Sequence, residues 1–277
     1  MKNIKAYVGD SKEVYHAAVA RKEDTALQAR LNHIFPNIGK QYDIYDNLIA
    51  CNTLISLYHE ASFSPYRQDL QSLYNYDSVI LRGLRQKIEK ATPASIRYTC
   101  QYCTVTPVES FDHYLPKEEF PEYSIHSNNL IPSCKTCNGY KSYVWRDAGG
   151  NRLFINLYYD TIPEVRFLFT DVFEEEDGEI NFKYYLDNPN AIDLDLYHIV
   201  QSHFQRLRLT ERMRKAAVSI VSELEGTIAA STLDFSAIID EVKATANRNF
   251  SSYGSNYWKS VAELALVDSP VFLKRFV

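Results

Sequence analysis

Residues 100–141 read CQYCTVTPVESFDHYLPKEEFPEYSIHSNNLIPSCKTCNGYK, and the fold turns on how that stretch is divided. It opens on Cys100-x2-Cys103 and closes on Cys134-x2-Cys137, four of the five cysteines in the chain. Zinc takes four thiolates at about 2.3 Å in a tetrahedron, and each CxxC offers two sulfurs from one tight turn. Disulfide or redox use is the weaker reading. The chain has no apolar leader, no run of about 18 apolar residues and an odd number of cysteines, which points to a cytoplasmic location where thiols stay reduced. Thirty residues separate Cys103 from Cys134, more than a plain zinc ribbon spans, so a structured element is expected between the knuckles.

The intervening residues divide into short pieces. Phe111-Asp112-His113-Tyr114-Leu115 alternates apolar and polar side chains as a strand does, and Pro116 ends it. A regular strand sends Asp112 and His113 to opposite sides, so their convergence has to come from local geometry. Asn128-Asn129 reads as a turn into the apolar stretch Leu130-Ile131-Pro132. From Cys134 a helix places Cys134, Cys137, Asn138 and Lys141 on one face. The expectation is a strand, turn, strand and helix stapled by zinc, with Asp112, His113, Asn129 and Asn138 in one pocket.

That ordered series resembles the HNH endonuclease superfamily, the ββα-metal nucleases, in its four-cysteine variant with an Asn in place of the last His. The matching positions are Asp112-His113 with Pro116, Asn129-Leu130, and Cys137-Asn138 with Lys141. The HNH domain of RNA-guided CRISPR effectors shows a similar series without the cysteines. The string from Asp112 to Asn138 also resembles HNH nucleases of bacterial anti-phage systems, including the Septu type, in which the nuclease works with an ATPase. The resemblance covers about 45 residues, with no match for the flanks.

Phosphodiester hydrolysis needs a deprotonated water and a cation to neutralise charge on the phosphate. His113 suits the general base. The resemblance and the ligand chemistry agree on Asp112 and Asn138 as ligands of a hard ion, Mg²⁺ or Mn²⁺, because Asn in place of His disfavours softer metals. That leaves Asn129 to orient His113, and Lys141 to touch the phosphate. Plainer readings stand beside these: an isolated Asp-His pair is usually a strand-end hydrogen bond, Asn129 a turn residue, and His126 a surface histidine. Cys51, within LIACNTLISLY, reads as a small buried hydrophobe.

The fold class expected is α+β: mainly helical flanks around the zinc-stapled core, with a β-hairpin after it. The division expected is a helical region over 1–95, the nuclease domain over 96–148, and a hairpin plus helical region over 149–277. Asp10-Ser11 caps a helix to about Ile34, and Ser64-Pro65 opens another to about Lys90. Val165–Phe169 and Ile180–Tyr185 form the hairpin around an acidic turn. Helices follow from about Asp193 to Glu225, Phe235 to Phe250 and Tyr257 to Leu266. The 21 tyrosines read mainly as amphipathic packing residues.

A net charge of −5 runs against a protein that holds duplex DNA unaided, because phosphate neutralisation supplies most nonspecific affinity. Local cations exist: Arg206, Arg208, Arg212, Arg214 and Lys215 fall on one expected helix, either as a phosphate track or as a solvated face. The sequence therefore favours a nuclease acting on DNA or RNA with help from a protein partner, an ATPase if the Septu resemblance holds, and without a membrane. The alternative is a zinc-stabilised nucleic-acid- or protein-binding module without catalysis.

Overall fold

The computed structural model describes residues 1–276 and has an α+β fold built as two units. One holds Asn3–Tyr102 and Pro107–Thr161; the other runs from Ile162 onward and takes in Met1, Lys2 and residues 103–106. No helix among the described residues is long and apolar enough to cross a membrane.

In the first unit α1 covers Ser11–Val19 and α2 covers Thr25–Ala50. The single helix expected from Asp10 to about Ile34 is therefore two. The Asp10 carboxylate does cap α1, accepting from Lys12 N at 2.8 Å, but Asp24 caps a second start by accepting from Ala26 N and Leu27 N. An Asp side chain that satisfies first-turn amides favours a helix start over a helix interior. Cys51 lies just past the end of α2 and is exposed, not buried.

The helix expected from Ser64 to Lys90 is also interrupted. A 3₁₀ turn over Ala61–Tyr66 leads into α3, Arg67–Gln71, and α4 starts afresh at Val79–Ala91. Between them the Asn75 side chain accepts from Asp77 N, and Ser78 Oγ accepts from Leu81 N as a new cap. That break delivers Tyr74 to the site described below.

Strands β1, Ser110–His113, and β2, Leu130–Ser133, pair antiparallel with Asp112 opposite Ile131 and His113 opposite Leu130; helix α5, Lys135–Lys141, follows. Around them Tyr15, Tyr42, Tyr45, Phe111, Tyr114, Leu115, Phe120, Tyr123 and Leu130 are almost wholly buried. The tyrosines pack by their rings and anchor by their hydroxyls: Tyr15 donates to Leu31 O, Tyr114 to Phe154 O and Tyr158 to Leu130 O. This is the amphipathic packing use that their number suggested.

In the second unit the expected hairpin is present, with its first strand lying later in the chain than the expected Val165–Phe169. Strand β3, Leu168–Glu174, pairs with β4, Ile180–Leu186, from Leu168–Leu186 to Glu174–Ile180. The intervening turn closes through Gly178 N to Glu175 O, with Gly178 at φ +86°, a conformation that glycine adopts without a Cβ clash. The Asn256 side chain accepts from both Phe167 N and Leu168 N, fixing the start of β3. The long helix expected from Asp193 to Glu225 is broken into α6, Leu194–Arg206, and α7, Leu209–Ala230, by Arg208 at φ +51°. Three more helices follow: α8, Phe235–Tyr253; α9, Trp258–Val267; and α10, Pro270–Leu273. Helices α7 and α9 pack on the hairpin.

Candidate metal centre and adjoining cleft

The sulfurs of Cys100, Cys103, Cys134 and Cys137 all lie within 4.8 Å of one another, and all four residues are buried. A tetrahedral ion with bonds of about 2.3 Å requires sulfurs about 3.8 Å apart, so the four are gathered closely enough to hold one metal ion. None forms a disulfide. Local backbone supports the thiolate form. Cys134 caps α5 and its Sγ accepts from Cys137 N at 3.3 Å, while Cys103 Sγ accepts from Val105 N at 3.5 Å. Each such N–H places partial positive charge at a sulfur.

Beside this centre a cleft of about 300 Å³ is lined by Asp112, His113 and Asn138, together with Tyr74, Lys117, Glu118 and Tyr143. The neighbours Asp112 and His113 are the last two residues of β1, and both line the cleft. Asp112 is held from the protein side by two donors, Tyr102 Oη at 3.0 Å to Oδ2 and Lys141 Nζ at 3.2 Å to Oδ1. Burial raises the Asp112 carboxyl pKa above its ordinary value, and the Lys141 charge opposes that shift. The Asn138 amide nitrogen donates to Phe111 O at 3.1 Å and to Ser110 Oγ at 3.3 Å, which directs its Oδ1, the better ligand for a hard cation, away from those bonds.

His113 is fixed by Ser124 and Tyr74. Its Nε2 lies 2.9 Å from Ser124 O, and since a carbonyl only accepts, Nε2 carries the proton and Nδ1 the lone pair. The Tyr74 ring packs edge-on to the imidazole at 4.4 Å, and Tyr74 Oη donates to Phe111 O. Burial lowers the His113 pKa to about 3, so the ring is neutral at physiological pH.

Two expected roles are corrected. Asn129 does not hydrogen-bond the imidazole: its Oδ1 accepts from Leu115 N at 2.7 Å, and its Nδ2 donates to Leu115 O and Tyr123 O. It clasps the connection between β1 and β2, holding Leu115 two residues past His113 and Tyr123 next to Ser124. Lys141 does not face solvent as a phosphate contact. It is fully buried, with Nζ at 2.6 Å from His113 O as well as paired with Asp112. The last turn of α5 carries it inward because the face shared with Cys137 is the packed one.

Arg206, Arg208 and Arg212 are not among the residues lining the cleft. They lie around the α6–α7 break rather than on one helix: Arg206 ends α6, Arg208 occupies the break, and Arg212 is in α7 with its guanidinium 3.3 Å from Leu207 O. His126 is not a surface histidine. It is fully buried among Tyr42, Tyr45 and Tyr123, with Nε2 3.5 Å from the Asp46 carboxylate.

The sequence reading missed Tyr74, Tyr102, Ser124, Lys117 and Glu118. Tyr102 alone carried a signal, since its place inside the first knuckle ties it to the metal centre. Tyr74 and Ser124 arrive through loop geometry that no local pattern encodes.

No protein-family model and no solved structure matches the chain. Protein ea31 of Escherichia phage lambda is 24% identical over 192 residues, which is 63% of this chain and 63% of that protein. Septu protein PtuB of Bacillus thuringiensis is 40% identical over 47 residues, 15% of this chain and 18% of that protein. The chain thus spans less than two-thirds of the length of either relative.

Proposed function

We propose that this chain is a metal-dependent HNH-type endonuclease, with zinc in the four-cysteine centre and Mg²⁺ or Mn²⁺ at Asp112 and Asn138. The observation that carries the reading is the single cleft lined by a buried carboxylate, an amide side chain and a neutral imidazole with a defined tautomer. A divalent ion bound there supplies charge neutralisation on the scissile phosphate. His113 takes a proton from the attacking water through Nδ1, while Ser124 O holds the opposite edge of the ring in place. Lys141 holds the Asp112 carboxylate on one side and the His113 carbonyl on the other, fixing the spacing of ligand and base. Lys117, at the cleft with its ammonium 5.1 Å over the Tyr74 ring, takes the phosphate-facing role first expected of Lys141.

The short likeness to Septu protein PtuB supports a role in anti-phage defence beside a protein partner such as an ATPase. The net charge of −5 supports the same conclusion, since a partner can provide the basic surface that this chain lacks. DNA is the favoured substrate and RNA a second one.

The test is a plasmid-nicking and oligonucleotide-cleavage assay on the purified chain, alone and co-purified with the products of its neighbouring genes. Cleavage should require Mg²⁺ or Mn²⁺, and Asp112→Ala or Asn138→Ala should abolish it while leaving one zinc per chain. Cleavage independent of added metal, or no cleavage of any nucleic acid under either condition, overturns the assignment.

A further inference from the structure

One side chain reaches from the four-cysteine turn to a residue that lines the cleft. Tyr102 sits between Cys100 and Cys103 in the first knuckle, is fully buried, and donates from Oη to Asp112 Oδ2 at 3.0 Å. Asp112 Oδ1 takes the Lys141 ammonium at 3.2 Å, so each carboxylate oxygen has one fixed donor. Each oxygen keeps a further lone-pair direction, and the Asp112 side chain lines the cleft. Lys141 continues the chain of contacts to His113 O at 2.6 Å. A continuous path thus runs from the sulfur-bearing turn through Tyr102, Asp112 and Lys141 to the backbone of the base.

We propose that Tyr102 is a positioning residue through which the four-cysteine centre sets the orientation of the Asp112 carboxylate toward a divalent cation, so that the knuckle shapes the cleft as well as stapling the fold. Oriented first ligands depend on the groups hydrogen-bonded behind them, and loss of such a group typically costs about 10–100-fold in metal affinity or activity. A phenol is well suited here. Its donor sits at the end of a rigid ring with two rotatable bonds, and the Tyr102 backbone lies within one tight turn between two cysteines placed to hold the metal ion. This rests on the nuclease reading for the identity of Asp112 as an ion ligand.

The test is Tyr102→Phe in the full chain, which removes one hydroxyl and keeps the ring. Three quantities are read: zinc per chain by elemental analysis, Mn²⁺ binding by electron paramagnetic resonance, and metal-dependent cleavage. The expected result is unchanged zinc and a cooperative thermal transition, with Mn²⁺ bound about tenfold or more weakly and the Mn²⁺ concentration for half-maximal cleavage raised in parallel. His113→Ala, measured alongside, should bind Mn²⁺ like the wild type. Mn²⁺ binding unchanged in zinc-loaded Tyr102→Phe overturns the proposal and leaves the nuclease reading standing. Loss of zinc from Tyr102→Phe also overturns it, since the hydroxyl would then serve the knuckle itself. A wild-type chain that neither binds Mn²⁺ nor cleaves overturns the nuclease reading and this proposal together.

Discussion

Lys141 shows how burial decides a role that sequence spacing leaves open. One turn beyond Asn138 on a helix, it reads equally as a phosphate contact or an internal tether, and the fold puts its ammonium wholly inside, against Asp112 and His113 O. Burial lowers the Lys141 pKa and raises that of Asp112, while each partner holds the other in its charged form. Lys141→Ala should therefore cost about 3 kcal/mol in urea unfolding, because it strands a buried carboxylate; an unchanged midpoint would point back to a surface role. His113 gives a second expectation, with the sign set by burial. Its pKa falls from the ordinary 6.5 to about 3 in the fold, so the unfolded chain takes up a proton that the folded chain refuses. Stability tied to this group is intact above about pH 6.5 and is lost as pH falls toward 3. His113→Gln should flatten that part of an acid-unfolding curve.

The connection between β1 and β2 is where elements, rather than single residues, build the site. Asn129 satisfies Leu115 at both its N–H and its carbonyl and reaches Tyr123 O, so one side chain replaces the hydrogen bonds that a strand ladder would have supplied. Asn129→Ala should destabilise by about 2 kcal/mol through buried groups left unsatisfied, and should lower cleavage by letting Ser124 drift from His113. The same connection carries Glu122, whose two oxygens are buried without hydrogen-bond partners and whose pKa burial raises from 4.5 to about 7. A raised acid favours the fold below about pH 4.5, and that advantage is lost as pH rises through 7. Glu122→Gln should raise the melting temperature at pH 8 and leave it nearly unchanged at pH 4. In this region the sequence predicts the order of elements well: the strand expected over Phe111–Leu115 forms as Ser110–His113, two residues short of its expected end, and the second strand from Leu130 and the helix after Cys134 form where expected. Their punctuation by proline, paired asparagines and cysteines is local. The partners of the side chains were hidden, because Ser124, Tyr74 and Tyr102 meet Asp112 and His113 only through tertiary geometry.

Across the two units, the long helices were the least predictable elements. The helices expected from sequence run across Asp24, Asn75–Ser78 and Arg208, whereas the breaks come from single caps and one left-handed residue. The four-cysteine centre was predictable because thiolate chemistry and spacing alone specify it. Cys100→Ser or Cys134→Ser should therefore unfold the ββα element, and intact chain should contain one zinc by elemental analysis. The acidic net charge leads to an expectation for the complete system: the chain alone should bind nucleic acid weakly with a shallow salt dependence, and a partner that supplies the basic surface should raise both affinity and salt sensitivity. The central claim is that His113, presented in the cleft with Asp112 and Asn138, is the base of a metal-dependent nuclease. It is tested most directly by comparing cleavage rates of wild type and His113→Ala at equal zinc content and equal thermal stability in saturating Mn²⁺. A fall of at least about 100-fold is predicted, and a folded, zinc-loaded variant that cleaves at the wild-type rate would contradict the account.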